Sequence, residues 1–245
     1  MLRAAYREFL EAANADLMLM CDAAQSVMSH ATAALLEQSL EDAEEALTEH
    51  DSLAEIRERC EDRSMRLLAL QNPVASELRE IVSSIYIMEH LNRMGSLSRN
   101  IALLSRQRHP ASVYPPPLHG FVEEMARLTV EMGLTMRGLI EEPDPDAAIE
   151  LHNLDEGIDD LKAYLTNLVT DREWEYTTRE AVDLAILVRY FERYADRCVS
   201  VGARLVFQVT GMNPDAYVRQ RDEPDFDPSE KFAEIERRFR RSGPQ

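Results

Sequence analysis

Four carboxylates in the second half of the chain have the type and spacing of a site for a hard cation. Asp155 and Asp159 stand four residues apart, and so do Glu192 and Asp196. On a helix, side chains at i and i+4 share a face about one turn apart. If the two helices pack with these turns adjacent, four carboxylates converge, and a multivalent cation bound through oxygen relieves their repulsion. A chain with 45 Asp and Glu produces such pairs by chance, so a solvated acidic face is a second reading of the same spacing. Pairing of the acids with nearby arginines such as Arg189 or Arg193 is a third. Other chemistry has little support. The sequence holds no GxSxG, P-loop, HExxH or Gly-rich strand-to-helix motif. The six histidines (30, 50, 90, 109, 119, 152) are scattered, and Glu49-His50 and Glu89-His90 lack the Glu-x-x-His spacing of a di-iron bundle. Cys21, Cys60 and Cys198 are odd in number and form no CxxC, which argues for reduced thiols rather than a disulfide framework or thiolate zinc site.

Those acids need helices to position them, and the sequence supplies them. Glycine is scarce (8 residues), proline is confined to a few breaks, and the intervening stretches are rich in Ala, Leu, Glu, Arg and Met. No segment alternates as a strand does. The fold class is therefore all-α. Caps and prolines predict the boundaries. A first helix runs from about Tyr6 to Glu37. Ser39, followed by Glu41 and Asp42, caps a second that reaches about Leu70. Asn72-Pro73 reads as an N-cap and first-turn proline opening a third, to about Gln107. His109–Leu118, with four prolines, is a linker. A fourth helix covers about Leu118–Glu141, Asp144-Pro145 opens a fifth to about Val169, and Thr177 with Glu180 has capping-box spacing for a sixth to about Val209. Trp174 is expected to anchor the turn before it. The Met and aromatic positions Met18, Met20, Met28, Tyr86, Met88, Tyr190, Phe191 and Tyr194 read as core.

Three helices, a linker and three more helices suggest a duplication at an offset of 100 residues. Arg79-Glu80 aligns with Arg179-Glu180, and the segment from His90 to Ser96 aligns with the segment from Tyr190 to Asp196. The expected units are 1–109, a proline-rich linker 110–117, a second unit 118–211 and a polar C-terminal tail 212–245 that orders in part. The tail includes an amphipathic stretch, Glu230–Arg241. In the first half the positions equivalent to the acidic pairs are Asp51 and Glu55, then Asn92 and Ser96. An amide and a hydroxyl add no charge, so a first-half cation site is expected to be weak or empty.

Charge bounds the partners. With 45 acidic against 27 basic side chains the net charge is −18, which argues against a nucleic-acid interface. The cations are 25 Arg and two Lys, Lys162 and Lys231. No run approaches the roughly 18 apolar residues of a membrane span, and no secretory signal is read at the N-terminus. A cytoplasmic protein follows, at most peripheral to a membrane through its partners.

One segment is more specific. Leu68-Ala-Leu-Gln-Asn-Pro-Val-Ala-Ser-Glu-Leu-Arg79 resembles the signature joining the second and third helices in the PhoU family of phosphate-signalling regulators. Ile81-Val-Ser-Ser84, Arg93-Met-Gly95 and Phe191-Glu-Arg-Tyr-Ala-Asp196 are similar to that family's two copies of its third-helix motif. The resemblance spans about residues 3–211. It implies two pseudo-symmetric antiparallel three-helix bundles, a homodimer, and metal clusters at acidic motifs on the second and third helix of each repeat. Carried over, the metal residues are Asp155, Asp159, Glu192 and Asp196, with iron or zinc as the metal and Asp51 and Glu55 as a depleted counterpart. The implied role is regulatory and not enzymatic: an adaptor between the ATPase of the phosphate ABC importer and a phosphate-sensing histidine kinase, restraining phosphate-starvation genes. The other reading is a metal-dependent enzyme or metal store built on the second-repeat carboxylates.

Overall fold

The structure, a computed structural model, describes residues 2–71, 73 and 75–222. The helices are α1 (Leu2–Glu37), α2 (Leu40–Gln71), α3 (Ser76–Arg108), α4 (His119–Glu141), α5 (Pro145–Thr170), α6 (Thr178–Thr210) and α7 (Pro214–Asp222), with a 3-10 turn at Pro116–Leu118 before α4. Among the described residues there is no strand, as the all-α reading requires.

Most helix ends follow from local chemistry. The Ser39 hydroxyl accepts from the Asp42 N–H at 3.2 Å. Asp144 accepts from the N–H groups of Asp146 and Ala147, with Pro145 at the first helical position. Thr177 and Glu180 form both halves of a capping box. Gly211 closes α6 at φ 77°, a left-handed conformation that glycine adopts without steric cost.

The start of α3 departs from the sequence reading. The helix begins at Ser76, three residues after the expected proline, and its N-cap is Ala75, with φ 46° and no side-chain cap. The first helical bond runs from the Arg79 N–H to the Ala75 carbonyl. The positive φ at Ala75 breaks the helical path, so Pro73 belongs to the connection. Asn72 lies outside the described residues, as does the amphipathic stretch Glu230–Arg241. The described part of the tail is α7, held to the start of α5 by Tyr217, whose hydroxyl donates to Asp146 at 3.1 Å, and by Arg221 at 3.0 Å from the same carboxylate.

Packing follows a two-bundle plan. α1, α2 and α3 pack on one another, and so do α4, α5 and α6. Two seams join the bundles: α3 against α6 and α1 against α4. In the first, antiparallel, seam Arg108 meets Asp183 at one end and Arg79 lies by Gly211 at the other. In the second, the Gln25 amide donates to the Gly133 carbonyl at 2.6 Å and Arg137 meets Asp22 at 2.5 Å. One apolar core runs through both bundles, from Met20, Met28 and Leu91 to Met132, Phe191 and Tyr194. Of the Met and aromatic positions read as core, Tyr86 departs from it. It is 46% exposed, with the Arg204 guanidinium 3.9 Å above its ring.

Candidate functional site

α5 and α6 run antiparallel, and their facing turns bring the two acidic pairs to one place. Asp155 and Glu192 are buried, at 9% and 6% exposure, although both are ionisable. Asp159 lies at the solvent edge and Asp196 is half-buried. The four are near enough to feel one another's charge. Burial, then the carboxylates of Asp159 and Asp196, push the Asp155 carboxyl up to about 6, with Glu192 adding to the effect and His152 opposing it. Burial and Glu192 likewise raise the Asp196 carboxyl. The i, i+4 spacing on each helix and the antiparallel packing thus put the two acidic pairs on facing turns.

The cation between them is one that spacing did not single out. Lys162, on α5 one turn beyond Asp159, extends its ammonium to 3.1 Å from Asp159 and 2.8 Å from Glu192. These hydrogen bonds, the one to Glu192 foremost, raise the Lys162 pKa. Arg189 donates to both Glu192 oxygens at 2.6 Å. Glu192 therefore has its charge met from both sides. Among the described residues no three His, Cys, Asp or Glu side chains are grouped to hold one metal ion. As arranged, the cluster fits an ammonium and a guanidinium, and it does not fit the iron or zinc that the family resemblance implies. The signal for Lys162 was present in the sequence: one of two lysines in the chain, three residues past Asp159 on the same helix face.

The first-half counterpart is not a copy. Asp51 and Glu55 are exposed. The Ser96 hydroxyl donates to the Asn92 carbonyl of its own helix at 3.0 Å. Between Asp51 and Glu55, Leu53 is buried against Gly95, so α2 presents an aliphatic side chain to α3 at this level. Elsewhere, Trp174 anchors its turn, donating from the indole N–H to the Thr177 carbonyl at 3.2 Å and meeting Tyr176 edge-on. Cys21, Cys60 and Cys198 are buried free thiols, and burial raises the pKa of each.

Known proteins share this architecture and much of the sequence. The family model described as PhoU domain matches twice, over residues 17–104 and 122–205, the two bundles seen here. Phosphate-specific transport system accessory protein PhoU homolog 2 of Mycobacterium tuberculosis is 38% identical over 213 residues, covering 87% of this chain and all of the relative. A relative from Methanothermobacter thermautotrophicus, also named as a PhoU homolog of that system, is 28% identical over 74% of this chain and 83% of its own length. Among solved structures, PhoU from Pseudomonas aeruginosa superposes with a TM-score of 0.79 at 20% identity, over 84% of this chain and all of that one. The phosphate transport system regulatory protein PhoU from Streptococcus pneumoniae does so at 0.77 and 22%, over 85% and 98%. A double match in register with the two bundles, and 38% identity across the whole of a relative, mean that this chain belongs to the PhoU family.

Proposed function

We propose that the protein regulates phosphate uptake and phosphate-starvation signalling as an adaptor, binding the ATPase of a phosphate ABC importer and a phosphate-sensing histidine kinase. The observation that carries this reading is the match, over its full length, to a relative named as an accessory protein of the phosphate-specific transport system. An adaptor also suits a chain in which no described helix is long and apolar enough to cross a membrane. On this reading the protein acts by binding rather than turnover, in the cytoplasm, as a negative regulator of the phosphate regulon and as a homodimer. Deleting the gene is expected to raise phosphate-starvation gene expression in cells grown in ample phosphate, with restoration by the full chain. Unchanged expression in the deletion strain would reject the reading. Light scattering at micromolar concentration checks the dimer, and a monomer rejects that part alone.

The carboxylate cluster enters this proposal with a condition. A divalent ion held by Asp155, Asp159, Glu192 and Asp196 has to displace Lys162 from Asp159 and Glu192. The same condition applies to the second reading, a metal-dependent enzyme or metal store.

A further inference from the structure

We propose that the outer face of the α3–α6 pair, centred on His90, Arg93, Arg197 and Arg204, is the docking surface for an acidic helical segment of a partner protein. The inference rests on the adaptor reading and supplies the surface that reading lacks. The two helices are antiparallel, and their solvent strips lie on the same side of the molecule. On α3 the strip is Val82, Tyr86, His90 and Arg93, at successive helical spacings of three or four. On α6 it is Val182, Ile186, Arg193, Arg197 and Arg204, again on one face. Arg204 crosses the seam to lie over the Tyr86 ring, which makes the two strips one surface.

Its charge is opposite to that of the molecule. The chain carries 45 acidic side chains, yet among the described residues neither Arg197 nor Arg204 has a carboxylate within ion-pair distance, although both are half-buried. Arg93 has Glu89 of its own helix at 2.9 Å, an exposed pair of small net value. His90 lies between these guanidinium groups. Its Nδ1 is buried with no hydrogen-bond partner. The flanks are apolar and exposed: Tyr86 at 46%, Val182 at 50% and Ile186 at 39%.

A cationic centre with apolar flanks, on a ridge of two antiparallel helices, matches an amphipathic helix that carries carboxylates among its apolar positions. Charge complementarity selects the occupant. An isologous contact between two copies through this face would set the same arginines near one another, whereas an acidic segment on a separate partner meets Arg197 and Arg204, which have no carboxylate within ion-pair distance among the described residues.

The test uses the full chain, the purified importer ATPase subunit and the cytoplasmic part of the kinase from the same cells. Arg93→Glu/Arg197→Glu/Arg204→Glu is expected to weaken binding of at least one partner tenfold or more. The milder Arg→Gln set should weaken it less, and Tyr86→Ala should weaken it without changing the salt dependence. Wild-type affinity should fall between about 50 and 300 mM salt. If wild type binds neither partner, the adaptor reading fails and takes the surface with it. If wild type binds and the reversed variant binds within twofold, the surface is wrong and the adaptor reading stands. Should the reversed variant fail to fold, the Arg→Gln set and the wild-type salt titration decide, and affinity unmoved by either overturns the proposal. Loss of self-association with unchanged partner binding assigns the face to a second copy and also overturns it.

Discussion

Lys162 decides what the acidic cluster can bind. A tethered ammonium has no translational entropy to lose on meeting Asp159 and Glu192, so a divalent ion competes against a cation already in place. Lys162→Met keeps the length of the side chain and removes that competitor. Calorimetry with Zn²⁺ or Mn²⁺ is expected to show at least tenfold tighter binding to this variant than to wild type. Adding Glu192→Ala/Asp196→Ala should abolish the gain, and adding Asp51→Ala/Glu55→Ala should leave it intact. Wild type binding as tightly as the variant would overturn the assignment of Lys162 as the resident cation. The carboxylates were legible in the sequence because i, i+4 spacing on facing helices is a matter of helical geometry alone. For Lys162 the i, i+3 spacing from Asp159 was legible, but its reach across to Glu192 of α6 was not, because no spacing within α5 encodes it. His90 carries a second residue-scale prediction. Burial, then Arg197, Arg204 and Arg93, lower its pKa from 6.5 to about 4, with Glu89 opposing. Unfolded, His90 takes its proton near pH 6.5; folded, only near pH 4. The unfolded chain therefore holds the extra proton between those values, and stability falls as pH drops through that window. Replacing it, as in His90→Gln, should remove about 1 kcal/mol of the stability lost between pH 7.5 and 5, allowing for solvent screening around a half-buried ring. Chemical denaturation at the two pH values checks this, and equal acid losses in both proteins would reject it.

At the scale of elements, two glycines on helices should respond oppositely to the same substitution. Gly202 of α6 lies where a Cβ would sit 2.9 Å from the Ala148 carbonyl oxygen of α5 and 3.1 Å from Leu151. The nearer obstacle is backbone, which cannot swing aside, so α5 and α6 would have to separate. Gly202→Ala should cost about 1–3 kcal/mol. Gly138 of α4 is exposed, with nothing within 4 Å of an added Cβ. There alanine restricts the unfolded chain and improves helix propensity, so Gly138→Ala should stabilise by about 0.5–1 kcal/mol. Urea midpoints of the two variants against wild type are the measurement, and a shift of the same sign in both would contradict the packing. The helices themselves were readable because their caps are local: Ser39, Asp144 and Thr177 each bond within three residues. The start of α3 was not, because Ala75 takes its positive φ from the path between two packed helices and not from an intrinsic preference.

For the whole molecule, the question is whether a duplicated sequence makes two folding units or one. α3 packs along α6, and a single apolar cluster runs through both bundles, with Leu91, Met94 and Ile101 of α3 and Leu187, Phe191 and Tyr194 of α6 all in it and all essentially inaccessible. The repeats therefore share a core and should unfold together. The Arg108–Asp183 pair at the end of the α3–α6 seam tests this. Asp183 is 7% exposed in its side chain and takes both its hydrogen bonds from Arg108, one of them at 2.8 Å. Arg108→Ala strands that carboxylate in the seam and should cost about 3 kcal/mol. The double variant Arg108→Met/Asp183→Leu, which removes both charges and keeps apolar volume, should recover most of the loss. In all three proteins, far-ultraviolet dichroism and tyrosine fluorescence should report one coincident transition. The stranded charge weakens the seam, but the apolar contact that couples the bundles remains. Two separated transitions in Arg108→Ala would show that the ion pair, rather than the shared core, makes the duplicated chain a single body.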